Sequence, residues 1–206
     1  MVIITSMEQG SQEWLEMRLG KVTASRMKDV LTNGRGGNPS KTAESYMIEL
    51  IAERLTGESK PFFENDAMRW GTETEPQARA MYELESGNDV EEVAFIRHDE
   101  YVGVSPDGLI GTDGMLEIKC PTTSTQVRRA LSGEYHNDYI AQIQAQLWVA
   151  EREWCDFVSF DPRLDCGASF LIERVNRDDV FISKMETKTA EFIENMKIAL
   201  SKIALI

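Results

Sequence analysis

Residues 101–121, YVGVSPDGLIGTDGMLEIKCP, decide the fold. Val102, Val104, Leu109 and Ile110 precede a turn, and Met115, Leu116 and Ile118 follow it. Gly111-Thr112-Asp113-Gly114 carries strong hairpin chemistry, with Gly114 free to take positive φ. A three-residue loop of Thr112, Asp113 and Gly114 pairs Gly111 with Met115. Leu109 then faces Glu117, and Asp107 faces Lys119. Side chains alternate along a strand, so Glu117 and Lys119 share a face, and Asp107 arrives on it. A register shift of one would send Asp107 to the other side.

Two carboxylates and an ammonium on one strand face are costly to bury without a partner. A hard divalent cation resolves the cost. Mg²⁺ takes one or two carboxylates, keeps several waters and draws its other ligands from substrate phosphate. A lysine beside it can orient or deprotonate a water. That is the chemistry of metal-assisted phosphodiester hydrolysis. The plainer alternative is a solvated hairpin carrying Glu-x-Lys, and the triplet by itself favours it.

The flanking residues reverse that preference. Ser105-Pro106-Asp107-Gly108 with Glu117-Ile118-Lys119-Cys120-Pro121 resembles the Pro-Asp…(Asp/Glu)-x-Lys signature of a large nuclease superfamily. Within it, the run is similar to the bacteriophage lambda exonuclease family of viral-type recombination nucleases. The resemblance implies an α/β, restriction-endonuclease-like core: a mixed, twisted β-sheet flanked by helices. It implies two Mg²⁺ ions per active site, with Mn²⁺ as a substitute. Asp107 would bridge them, Glu117 and the Ile118 carbonyl would hold the first, and Lys119 with Gln142 would position the attacking water.

Working outward, Trp14 to Ser25 reads W-x-x-x-R-x-G-x-x-T-A-S. The residues predict a short helix over 11–19, with Ser11 as N-cap and Trp14, Leu15 and Leu19 facing inward, then a second helix capped by Thr23. Caps near an arginine are widespread, so the pattern alone is weak. It resembles the first motif of the same family, which implies that Arg18, Thr23, Ser25 and Ser105 hold a terminal 5′-phosphate. The TNGRGGNPS run over 32–40 reads as a flexible loop. The resemblance places that loop beside DNA and makes Arg35 a contact.

Ser40 caps a helix to about Leu55, with Tyr46, Leu50 and Ile51 on one face and Gly57 ending it. Pro61-Phe62-Phe63 is a connector, and helical sequence resumes at Asn65 or Asp66. Pro76 either opens a new helix or kinks this one. The acidic residues over 73–92 read as solvated helix faces. The resemblance singles out Glu75, ending W-G-x-x-x-E, as a carboxylate assisting the second metal, and Glu92 as a supporting acidic position. Residues 122–131 can form a helix with Arg128 and Arg129 as local positive charge. Over 138–150, Ile140, Ile143 and Leu147 form a core stripe, and Tyr139, Gln142 and Gln146 a second. Solvation is the plain account of a helical glutamine, but Y-x-x-Q-x-Q resembles the third family motif. That implies a role for Gln142 with Tyr139 in support, while Gln144 points elsewhere. Strands follow at 154–160 and 168–175, and a closing helix over 178–204.

The chain has 206 residues, 42% hydrophobic and 28% charged, which suits one nuclease domain over 1–206. No run is long enough to span a membrane, and MVIITSMEQG is no signal peptide. Three cysteines without a CxxC pair suit a reducing cytosol. Two histidines leave little for a zinc site or a Ser-His-Asp triad. A net charge of −13 counts against DNA binding unless the acid sits on outer faces while a few Arg and Lys line a channel. The resemblance implies a 5′-to-3′ exonuclease on double-stranded DNA ends. It would release mononucleotides and leave a 3′ strand for recombination by annealing. A homotrimeric ring, a single-strand annealing partner, and a phage or prophage origin in bacterial cytosol go with it. An endonuclease on the same core, or a non-catalytic DNA-binding or assembly module, are the alternatives.

Overall fold

The computed structural model describes residues 1–34, 36, 39–59 and 65–205; the expectations for Arg35 and for the Pro61–Phe63 connector lie outside them. Its strands are β1 (Val2–Ile4), β2 (Val22–Thr23), β3 (Phe95–Arg97), β4 (Val102–Val104), β5 (Gly108–Ile110), β6 (Gly114–Lys119), β7 (Trp154–Phe160) and β8 (Phe170–Asn176). Its helices are α1 (Gln12–Arg18), α2 (Met27–Leu31), α3 (Lys41–Thr56), α4 (Asp66–Ser86), α5 (Thr123–Ser132), α6 (Ile140–Ala150) and α7 (Asp179–Ile203). The α/β class and the mixed strand pairing match the expectation. The strands are divided, however, between two four-stranded sheets, β1-β3-β4-β2 and β5-β6-β7-β8. The extended stretch before the turn is interrupted at Ser105-Pro106-Asp107. Pro106 has no N–H to give a ladder, and the chain crosses there from one sheet to the other.

The hairpin keeps a three-residue loop, but its register is displaced by two residues from the expected one. Gly108 pairs with Leu116, Leu109 with Met115 and Ile110 with Gly114, leaving Gly111-Thr112-Asp113 as the loop. Gly111, not Gly114, takes the positive φ, +54°. Gly114 is needed for space instead: a Cβ there would lie 2.3 Å from the Trp154 ring. A shift of two keeps every side chain on its expected face, whereas a shift of one would not. Asp107 therefore stays with Glu117, but it sits level with that residue rather than with Lys119.

β6 is buried from Gly114 to Ile118 because it lies between β5, antiparallel, and β7, parallel. Alternation splits its side chains. Leu116 and Ile118 pack with Ala78 and Tyr82 of α4 and with Val158 and Phe160 of β7. Met115 joins the larger core, which holds Ile143 and Leu147 of α6, Phe157, and Met185 and Met196 of α7. Burying Leu116 or Ile118 stabilises the fold by about 1.5–3 kcal/mol each. Glu117 and Lys119 follow Met115 and so meet α6.

Helix ends follow local chemistry. Ser11 and Ser40 accept the N–H groups of Trp14 and Ala43, and Gly57 ends α3 with left-handed backbone. Thr23 makes no side-chain cap bond; it ends β2 and leads into a 3₁₀ turn over Ala24–Arg26, contrary to the expected cap. α4 runs unbroken through Pro76. Arg129 is not surface charge: it is buried and donates to Ser159 Oγ at 2.6 Å and Tyr139 OH at 3.0 Å. Among the described residues, no helix is long and apolar enough to cross a membrane.

Candidate active site

Asp107 follows the sheet crossing and turns its carboxylate onto β6. Its N–H donates to the Leu116 carbonyl at 3.2 Å, and its Oδ2 accepts the Ile118 N–H at 2.6 Å. Glu117, whose side chain is 1% exposed, is ion-paired with Lys119. Two amides from α6 complete its surroundings: Gln142 Nε2 donates to Oε1 at 2.5 Å, and Gln146 Nε2 donates to Oε2 at 2.7 Å. The expected triplet thus converges, with Gln142 beside it. Ile118 lies opposite Val158 in the β6–β7 ladder. The Tyr139 ring centroid is 5.3 Å from Lys119 Nζ, and its hydroxyl accepts Arg129.

Glu75 comes from α4, with its side chain one-third exposed. Arg79, one turn on, donates Nη2 to Glu75 Oε1 at 2.7 Å and to the Asp107 carbonyl at 3.2 Å. Its Nη1 lies 3.0 Å from Oε2 of Glu92, which is largely exposed.

These charges shift one another. Burial pushes the Asp107 carboxyl well above the usual carboxylate range, and Glu117 and Glu75 add to it; Lys119 and the Ile118 N–H oppose it. Burial also raises Glu75, against Arg79 and Lys119. Burial works against the Lys119 ammonium, but Glu117 and Asp107 outweigh it and raise its pKa. Cys120 is pushed up to about 12 by burial and by Glu75 and Asp107, so it stays a neutral thiol.

The phosphate candidates form a second group. Ser105 Oγ accepts both Arg18 Nη1 at 3.1 Å and Trp14 Nε1 at 3.0 Å, and the Arg18 guanidinium lies 4.1 Å from the Trp14 ring centroid. Burial lowers the Arg18 pKa to about 10, still cationic at neutral pH. Thr23 Oγ1 is 3.5 Å from Ser25 Oγ. One open groove of about 1060 Å³ is lined both by Arg18, Thr23 and Ser25 and by Glu75, Glu92 and Asp107. Acid is not confined to outer faces: Glu49 and Glu53 also line it, tied to Arg26 at 3.3 Å and to the Gly20 N–H at 2.8 Å.

Among the described residues, no three acidic, histidine or cysteine side chains make a closed cation cage. The donors present are hard carboxylate oxygens whose crowding favours a positive neighbour. They fit an ion that takes one or two carboxylates and completes its shell with water and substrate oxygen. Sequence reasoning missed three contributors. Gln146 lay on the Tyr139–Gln142 stripe, which was its signal. Arg79 was signalled by its i,i+4 spacing from Glu75. Trp14, expected to face the core, instead uses its N–H on Ser105.

Residues 13–153 match the YqaJ-like viral recombinase domain. LHK-Exo, an alkaline exonuclease from Laribacter hongkongensis, superposes with a TM-score of 0.87 at 41% identity, over 94% of this chain and 96% of that one. LHK-Exo in complex with dAMP gives 0.86 at 42%, over the same shares. A phage-related exonuclease from Haemophilus somnus 129PT shares the fold, with a TM-score of 0.70 at 18% identity over 89% of this chain and 96% of that one. Protein R354 of Acanthamoeba polyphaga mimivirus is 29% identical over 75% of this chain, which spans only 29% of that protein's length.

Proposed function

The chain belongs to the YqaJ-like viral recombinase family, and on that premise we propose that it is a Mg²⁺-dependent exonuclease that degrades double-stranded DNA from the 5′ end. The observation that carries this is the groove shared by Asp107 and Arg18, with Ser105 joining the two. Ser105 binds Arg18 and stands two residues before Asp107, so an end phosphate at Arg18 lies near the carboxylates. The likeness to LHK-Exo supports the exonuclease class. The dAMP bound by that protein is a deoxynucleoside monophosphate, the product class expected here.

In this mechanism Arg18, Thr23, Ser25 and Ser105 hold the 5′-phosphate, with Arg35 as a further DNA contact. Asp107, Glu117, the Ile118 carbonyl and Glu75 would hold the metal. Two bound Mg²⁺ ions, or Mn²⁺ in their place, would stabilise the attacking and leaving oxygens of an in-line displacement. Lys119 and Gln142 orient the attacking water. Tyr139 packs over the Lys119 ammonium, and Glu92 supports Glu75 through Arg79. The remaining 3′ strand feeds recombination through a single-strand annealing protein, and three copies of the chain ring the duplex. Enclosure of this kind needs little non-specific affinity, which accommodates a net charge of −13.

The test is linear duplex labelled at either end, digested with Mg²⁺. The 5′ label should leave first, as mononucleotide, while closed circular DNA stays intact. Release of the 3′ label first, or cutting of circles, would overturn the assignment.

A further inference from the structure

We propose that Arg79 is a positioning residue: it fixes the Glu75 carboxylate against Asp107 and thereby sets the affinity of the site for a divalent cation. The inference rests on the metal-dependent mechanism above. Arg79 joins three chain segments. It bonds Glu75 Oε1 and the Asp107 carbonyl through Nη2, and it pairs with Glu92 through Nη1. The side chain is 13% exposed, and its buried Nε has no hydrogen-bond partner among the described residues. A donor left unmatched in the interior is costly, so packing stability does not account for the arrangement.

Pro76 explains why Glu75 needs an outside support. Proline has no N–H to return to the preceding turn, so the helix is locally looser where the carboxylate departs. A planar guanidinium fork supplies the orientation that the helix there does not. An exposed i,i+4 ion pair would contribute little; here the Arg79 side chain is mostly buried and is shared with the backbone of Asp107.

Charge and position give opposite signs, which makes the inference testable. If only the charge of Arg79 mattered, removing it would tighten cation binding. If Arg79 positions Glu75, removing it weakens binding. Calorimetric titration of Mn²⁺ into the full chain should show about tenfold weaker binding for Arg79→Gln, the scale of one lost charge-assisted hydrogen bond. Arg79→Lys should recover part of the loss. Adding Arg79→Gln to Glu75→Gln should change nothing further, because the two act through one contact. On duplex ends, kcat should fall while KM holds. Equal or tighter Mn²⁺ binding in Arg79→Gln, or losses that add in the double variant, overturns the proposal. Should Arg79→Gln lose cooperative melting, Arg79→Lys carries the same test, and wild-type affinity in it overturns the proposal. A wild-type chain that binds no Mn²⁺ and cuts no DNA removes the mechanism and this inference together. A wild-type chain active beside an unchanged variant removes only the inference.

Discussion

Gln146 reaches Glu117 from inside the core, its Nε2 donating to the Glu117 Oε2 at 2.7 Å. Neither side chain has solvent to fall back on: both residues are 0% exposed. With Gln142 and Lys119 on the other oxygen, Glu117 is held before any substrate arrives. Gln146→Leu removes a hydrogen bond to a buried charge, which costs about 1.5–3 kcal/mol. Urea unfolding should report that loss, and hydrolysis should fall with it. A variant as stable as wild type would mean that Glu117 finds its partners elsewhere.

Arg18 and Ser105 make a parallel prediction for the residues proposed to hold the end phosphate. Arg18→Ala should slow digestion of 5′-phosphorylated ends by about 10- to 100-fold, the range of one charged hydrogen bond lost. Ends without the phosphate should be slowed much less. Competing rates on the two substrates measure the difference, and equal slowing would count against a phosphate pocket.

Both groups were legible in the sequence to different depths. Strand alternation alone puts Glu117 and Lys119 on one face, and that parity survived a two-residue error in the turn. The turn itself was misjudged because two glycines compete for the left-handed position. What decided between them was Trp154, forty residues away, whose ring fills the space a Gly114 side chain would need. Long-range contacts of that kind leave no local trace. The same holds for Arg129, whose neighbours Ser159 and Tyr139 come together only in the fold. The break at Ser105-Pro106-Asp107 had a local signal in Pro106, but nothing nearby says that the chain changes sheets there.

Gly114→Ala follows from the Trp154 contact. Trp154 is itself covered by the Arg174 guanidinium, 3.6 Å from its ring centroid, so the indole has little freedom to retreat. Overpacking of this kind costs about 1–3 kcal/mol. A lowered melting temperature is expected, and an unchanged one would mean that the ring moves aside freely.

Acid sensitivity should run partly through Asp161. Burial opposes its ionisation, but hydrogen bonds from Arg163 and Thr123 outweigh burial and hold its pKa below the usual value. Arg163 Nε lies 2.7 Å from Oδ1, and Thr123 Oγ1 donates to Oδ2 at 2.6 Å. A depressed carboxylate contributes stability above its unfolded pKa, about 3.9, and loses it as pH falls through the folded value. Asp161→Asn should therefore be less stable than wild type near neutrality. The gap should shrink below about pH 4. Parallel urea titrations at several pH values would show it, and a gap independent of pH would rule out this origin.

Lys119 separates binding from chemistry. Its ammonium pairs with Glu117 and lies over the Tyr139 ring, with a quarter of the side chain exposed. The residues proposed to hold the end phosphate lie on other elements, α1, β2 with the 3₁₀ turn that follows it, and the segment after β4, so removing Lys119 leaves them in place. Lys119→Ala should lower hydrolysis in Mg²⁺ by about 10²- to 10⁴-fold, the range of a lost general acid–base group. Duplex binding should be nearly unchanged, as fluorescence anisotropy in Ca²⁺ would report. Glu117 would lose its cationic partner, so the variant should also bind Mn²⁺ at least as tightly as wild type. Full hydrolysis by Lys119→Ala would end the case for Lys119 as the group that prepares the attacking water.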